Sequence, residues 1–450
     1  MEKTPDVPQA SPHSPALWRQ LQWTAKLVQD VQDVQAGRSL ATTIDQVPGE
    51  LRSGVQALTF HTLRHLGAAA ALRDQLVARR PSAAVDALLL TALALMLPAP
   101  GVRHPPHTLV DQAVEAAKKD KATRHQAGLL NAVLRRLGRE RERLFLAVRD
   151  DLGARWNHPK WWIERVQADH PAAWQAILEQ AQQPAPMVLR VNTLRSSTDA
   201  VLTTLDQHGI EAVRLDGNGI ALARPMPVAA IPGFAEGMLS VQSAAAQMAA
   251  PLLMSGLSVD SPRVLDACAA PGGKTAHILE LSPSAQVTAL EVDARRAERI
   301  GSTLSRLGLQ ADIRVADAGL VSDWWDGIPF DRIMLDAPCS ASGIVRRHPD
   351  IRWLRRATDI HQLANQQDRL LAAMWPVLAV GGRLLYATCS VFHEEGIDRI
   401  QAFLSRHMDA GWLPSPGHLI PSGAGAGLSS GENAACDDGF FYALLEKRAA

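Results

Sequence analysis

Between about Pro15 and Val148, apolar side chains recur every third or fourth position, as in LWRQLQWTAKLVQDVQ and HTLVDQAVEAAKKDKATRHQAGLLNAVLRRLGRERERL. Strand-like alternation is scarce there, and proline and glycine fall mainly between the runs. The spacing predicts an all-helical domain over residues 15–150. A linking helical stretch, HPKWWIERVQADHPAAWQAILEQAQQ, comes next. After the prolines of QQPAP the period switches to two. MVLRVNTLR reads as a strand, and HGIEAVRLDGNGIALAR as two more around a turn at Asp216 to Gly219. Residues 151–236 are therefore expected to form a small α+β linking unit.

From about Gly237 to the end, apolar runs alternate with helical stretches. RVLDAC, QVTALEV, ADIRVADA, FDRIMLDAP and GGRLLYATCS read as strands, with ARRAERIGSTLSRLG and ATDIHQLANQQDRLLAAMWPVL as helices between them. This alternation predicts a doubly wound, mostly parallel α/β sheet over residues 237–450. A glycine- and serine-rich loop, GAGAGLSSGENAACDDG, precedes a last strand, FFYALLEK.

Composition narrows the class. A chain of 450 residues is too long for one core of ordinary size, and 47% hydrophobic with 20% charged residues is usual for a soluble protein. The longest strongly apolar run, ALLLTALALML (Ala87 to Leu97), is too short to span a bilayer. The opening MEKTPDVPQASPHSP has no apolar signal core, so residues 1–14 are expected to be a disordered tail of a cytoplasmic protein without a membrane partner. Four cysteines without a CxxC or His-rich pairing argue against a disulfide framework and against a metal site.

Net charge is zero, but its distribution is not even: through Asp150, 20 Lys and Arg face 14 Asp and Glu. Arg135, Arg136, Arg139, Arg141 and Arg143 concentrate this surplus. They read either as a solvated helix end paired with Glu140 and Glu142 or as a phosphate-contacting surface.

In a parallel sheet, ligands sit beyond the carboxyl ends of the strands. Those ends read DACAAPGGKT, EVDARR, ADAG, DAPCS and ATCS, all rich in acids, small residues or thiols. DACAAPGGKT, Asp266 to Thr275, is a strand–glycine loop–helix junction. As a Walker A loop it lacks the first glycine, where Cys268 stands, and as a dinucleotide loop it has only Gly272 and Gly273. S-adenosylmethionine (SAM), which needs close backbone approach but no pyrophosphate cradle, is the third candidate. Glu291 ends the second strand, where a carboxylate can accept both ribose hydroxyls. Asp317 follows the third, where an acid can receive an adenine amino group. A solvated glutamate and a turn-forming aspartate account for these two positions about equally well.

Two of the four cysteines, Cys339 and Cys389, stand just past two different strands. A lone cysteine there is usually a small buried residue, and Cys268 and Cys436 keep that reading. Two, each followed by serine, fit a chemistry that needs thiols. The C5 atom of a pyrimidine is a poor nucleophile until a thiolate adds to C6 and makes C5 enolate-like. The thiolate requires nearby positive charge, from Lys274, a bound sulfonium or the arginines of VRRHPDIRW. Asp336 could hydrogen-bond the N3/N4 edge of the base.

These residues resemble the RNA 5-methylcytosine methyltransferases, and nearly the whole chain is similar to the RsmB (Sun/Fmu) family that modifies small-subunit ribosomal RNA. The NAVLRR helical region resembles NusB. LRVNTLR and SVQSAAAQ are similar to the segments preceding the family's catalytic domain, and DACAAPGGKT, DAPCSASG, RRHPDIRW, YATCS and DGFFYA to its catalytic blocks. The resemblance implies an all-α NusB-like RNA-binding N-terminal domain, a small α+β middle domain and an α/β Rossmann-like SAM-dependent methyltransferase domain. It implies that Cys389 is the nucleophile and Cys339 the product-release thiol, an order that spacing alone leaves open, with Asp336 and Lys274 also in the catalytic set. It further implies cofactor contacts from Cys268, Ala269, Ala270, Pro271, Gly272, Gly273, Lys274, Glu291, Asp317 and Asp336. Glu291 stands where many relatives carry aspartate. The implied partner is 16S rRNA (family target, cytosine 967), with no DNA and with the protein as a monomer. A tRNA cytosine methyltransferase and a NusB-like assembly factor with an inactive methyltransferase domain are the rivals.

Overall fold

The structure is a computed structural model that describes residues 15–33, 38–98, 104–421 and 438–449. The expected N-terminal tail, most of the glycine/serine loop and Cys436 lie outside the described residues. The chain divides into two compact units, Met1–Ile163 with His348–Arg355, and Glu164–Arg347 with Arg356–Ala450.

The first unit is helical. Helix Ala83–Leu95 is apolar on nearly every face, so it is buried all round, with helices Leu17–Gln32, Gly49–Arg64 and Leu66–Leu76 packed on it. The segment His348–Arg355 belongs to this unit although it lies far along the chain. Asp350 Oδ2 accepts from Leu40 N at 3.0 Å, and Trp353 Nε1 donates to Leu63 O at 2.8 Å. Arg352 is fully buried and donates to Asn157 O.

The second unit contains both sheets found among the described residues. The smaller comprises β1 (Met187–Val191), β2 (Ala212–Arg214), β3 (Gly219–Leu222) and β4 (Leu239–Val241) in the order β2-β3-β1-β4, all antiparallel. Strand β4, absent from the sequence reading, extends this sheet past residue 236.

The larger sheet comprises β5 (Arg263–Asp266), β6 (Gln286–Glu291), β7 (Asp312–Val315), β8 (Phe330–Asp336), β9 (Leu378–Thr388), β10 (Ala410–Leu419) and β11 (Phe440–Lys447), ordered β10-β11-β9-β8-β5-β6-β7. The five strands from β7 to β9 in this order are parallel, and β11 and β10 are antiparallel additions. The chain builds outward from β5 to β7 and then restarts on the other side with β8 and β9, so the order reverses between β5 and β8. That crevice is where such sheets bind ligands.

Central strands such as FDRIMLD and RVLD are apolar on both faces because helices cover both sides. Helix Ala294–Leu307 shows how local sequence directs this. Ala297, Ile300, Leu304 and Leu307 line one buried stripe, the Asp293 side chain caps its first turn, and Gly308 at φ 69° ends it. Strand β10, AGWLPSPGHL, was also absent from the sequence reading. Pro414 and Pro416 argue against a strand, and they are accommodated because β10 is an edge strand with an irregularity between Leu413 and Gly417. No helix among the described residues is long and apolar enough to cross a membrane.

Candidate active site

The carboxyl ends of β5, β6, β7, β8 and β9 surround one cavity of about 390 Å³. Its walls include Cys268 and Ala270 after β5, Glu291 at the end of β6, Asp317 just past β7, Asp336 and Cys339 after β8, and Cys389 after β9. Residues scattered over more than a hundred positions thus converge because every parallel strand brings residues at or just past its carboxyl end to the same rim.

Ala269, Pro271, Gly272, Gly273 and Lys274 are not among the cavity-lining residues. The loop glycines answer to packing. Gly272 has φ 93°, and a Cβ there would come 3.1 Å from Ile300 Cα on the neighbouring helix. The turn opens helix Gly273–Leu281, whose Lys274 reaches back so that Nζ lies 2.5 Å from Asp336 Oδ2. Burial acts to lower the Lys274 ammonium, but the charge and hydrogen bond of Asp336, with the Cys389 sulfur, hold it above its ordinary value. It therefore stays a cation. Asp266 is pushed up to about 6 by burial, against a hydrogen bond from Thr275 Oγ1 at 2.6 Å. Its other oxygen is buried without a protein partner.

Glu291 Oε1 accepts from Asp293 N and pairs with Arg296 at 3.4 Å, while Asp317 Oδ1 accepts from Gly319 N and pairs with Arg369 at 3.1 Å. In each, one oxygen is engaged, and both residues line the cavity. Two acids on adjacent strands, each with an oxygen to spare, suit the hydroxyls and amino group of an adenosine. The cavity therefore fits SAM as the sequence reading expected.

Cys339 Sγ and Cys389 Sγ lie 3.4 Å apart on the cavity wall. The contact with the Cys389 sulfur, reinforced by burial, pushes the Cys339 thiol well up. The loop carrying Cys339 is tied to β9 by Gly343 N donating to Cys389 O at 2.9 Å. Gly439 N in turn donates to Gly343 O at 2.8 Å, an approach so close that a Cβ on Gly343 would overlap the Gly439 carbonyl. Burial pushes the third thiol, Cys268, well up.

Of the positive groups considered for the thiols, Lys274 is the one that interacts with Cys389. Arg346 and Arg347 are engaged by the buried Asp438, and Arg352 is buried in the helical unit. Sequence reasoning missed Arg296, Gln366 and Arg369 on the cavity wall. Gln366 and Arg369 are three apart on helix Ala357–Met374, a spacing that puts them on one face, but nothing in it points to a ligand.

Comparison with known proteins agrees with this architecture. Residues 257–446 match the model for 16S rRNA methyltransferase RsmB/F, residues 158–229 the ferredoxin-like domain of RsmF/B-like methyltransferases, and residues 20–139 the NusB family. The ribosomal RNA small subunit methyltransferase B of Cronobacter sakazakii is 41% identical over 93% of this chain and 96% of its own. Its counterpart from Pseudomonas syringae pv. tomato is 43% identical over 92% and 93%. Among solved structures, the crystal structure of PH0851 superposes with a TM-score of 0.72 at 23% identity, covering 95% of this chain and 99% of that one. The fold is thus a NusB-type helical domain, a small middle domain and a Rossmann-like methyltransferase domain.

Proposed function

The chain belongs to the RsmB/F family of 16S rRNA methyltransferases, and from that premise we propose that it forms 5-methylcytosine in 16S rRNA through a covalent bond between Cys389 and C6 of the target base. It is a SAM-dependent rRNA methyltransferase, and when bound SAM supplies an electrophilic methyl group. Glu291 and Asp317 are the residues that would hold the adenosine.

The observation that carries the reading is the pair of sulfurs on the wall of the cavity that also contains those two acids. Addition of the Cys389 thiolate to C6 places the displaced electron pair on C5, N3 and O2 and makes C5 nucleophilic. Asp336, held by Lys274, faces the same space and orients the base. After methyl transfer the C5 proton must leave and the Sγ–C6 bond must break. Before the adduct forms, the Cys389 sulfur is the main influence keeping Cys339 protonated. Once that sulfur is bonded to carbon its contribution is lost, while burial and the Glu395 charge remain. Cys339 then gives its proton to solvent and, as thiolate, takes the C5 proton, while the C5 electron pair expels Cys389 as thiolate. The target base must be unpaired or flipped out to enter the cavity.

We also assign three domains, 15–150, 151–236 and 237–450, the first two gripping RNA largely through phosphates. The test is Cys389→Ala assayed with labelled SAM on 16S rRNA, with the product base mapped by bisulfite sequencing. Loss of 5-methylcytosine is expected; formation at a near wild-type rate overturns the nucleophile assignment.

A further inference from the structure

Behind the two thiols lies a wholly buried carboxylate, Glu395, in the short turn His393–Glu395 that follows β9. Its Oε1 accepts from Ser340 N at 2.7 Å and from Gln367 Nε2 at 3.3 Å. Its Oε2 accepts from Ser340 Oγ at 2.5 Å and from Ser390 Oγ at 2.6 Å. Ser340 and Ser390 are the residues directly after Cys339 and Cys389. The backbone ties between the two segments are Ala337 N to Ala387 O and Gly343 N to Cys389 O, both 2.9 Å. Cys339 and Ser340 lie in the loop between those two ties, where no strand ladder sets their position. Gln367 also donates to Pro338 O at 2.9 Å, so the carboxylate and its neighbour grip both sides of Cys339. The Glu395 carbonyl meanwhile accepts from Tyr386 OH and Thr388 Oγ1 on β9 itself.

We propose that Glu395 is a positioning residue that fixes the separation and orientation of the two reactive sulfurs by binding both following serines to one carboxylate. The proposal rests on the two-thiol mechanism above. A carboxylate suits the task because it accepts only, and four donors point at it. A glutamine would turn two donors of its own toward other donors, and an aspartate would fall short by a methylene. The Glu395 charge also acts to raise the Cys339 thiol.

The test uses the full-length protein with Glu395→Gln and two readouts. In methyl transfer, kcat should fall on the order of 100-fold, the cost of a displacement near 1 Å at a reacting centre, while the Kd for SAM and the KM for rRNA stay within about twofold of wild type, as expected for a group that binds neither. Phenylarsine oxide, which must bridge two close sulfurs, should capture Cys339 and Cys389 at least ~10-fold more slowly, located by peptide mass spectrometry. Unchanged kcat overturns the proposal. So does a fall in kcat with unchanged arsenical capture, or one matched by an equal loss of SAM affinity. Should Glu395→Gln not fold, Ser390→Ala removes one of the four donors and is read by the same criteria. Arsenical capture does not depend on methylation chemistry, so an active Cys389→Ala would sink the mechanism while leaving the clamp measurement intact.

Discussion

Cys339 Sγ lies 3.4 Å from Cys389 Sγ although fifty residues separate them in the chain. The Cys389 sulfur and burial hold the Cys339 thiol well above its ordinary value. Cys339 is also the thiol to which the proposed mechanism gives product release.

The release role proposed for Cys339 predicts the outcome of Cys339→Ser. Addition and methyl transfer proceed but release does not, so a protein–RNA adduct stable to denaturing electrophoresis should accumulate. Normal turnover without adduct would remove Cys339 from the mechanism.

Lys274→Met leaves Asp336 without its ammonium and takes the positive charge away from Cys389. Methyl transfer should drop on the order of 100-fold, comparable with loss of one preorganised electrostatic contact at a reacting centre. Single-turnover kinetics at saturating SAM measure it. A loss confined to SAM affinity would argue for a purely cofactor-binding role.

Glu291→Ala should weaken SAM binding about 10- to 100-fold, the equivalent of about 1.5–3 kcal/mol for a charged hydrogen-bonding group. Arg296→Ala removes the cation now paired with that carboxylate. It should change affinity less, because Arg296 is more than half exposed. Isothermal titration with SAM separates the two.

Arg190 on β1 is buried against Glu280 at 2.8 Å and also donates to Gly273 O at 3.0 Å, at the start of the helix that carries Lys274. Arg190→Met leaves Glu280 buried and unpaired. It should destabilise by about 3–5 kcal/mol, read as a lower urea midpoint.

His277 is buried, and burial, helped by the Arg190 charge, lowers it from 6.5 to about 3. Between those values the unfolded chain takes up a proton that the native state refuses. Stability is therefore fully present above about pH 6.5 and falls as the pH drops toward 3, by at most ~1.4 kcal/mol per pH unit for this group. Urea titrations across that range should show a shallower loss for His277→Gln.

The site was legible in the sequence where strand ends write it directly. Glu291, Asp336 and Cys389 each close or directly follow an apolar run, so the pattern that predicts a strand also marks a residue on the cavity wall. Arg296 and Arg369 were not legible, because they reach the cavity from helix faces whose orientation depends on packing. Glu395 was hidden for a related reason. Two neighbouring glutamates in HEEG look alike in sequence, yet Glu394 pairs with Arg165 and His361 while Glu395 is wholly buried. Strands β4 and β10 escaped because a three-residue strand is too short to show alternation and two prolines mimic a turn.

Those prolines have an effect beyond the fold. Among the described residues, strand β10 terminates the sheet next to β11, and a terminal strand ordinarily offers an unpaired row of amides to any other extended chain. Pro414 and Pro416 have no N–H to contribute to such a row, and the irregularity between Leu413 and Gly417 interrupts its spacing. Another copy of the protein would find poor purchase along this border, which guards an otherwise extensible sheet against edge-to-edge aggregation.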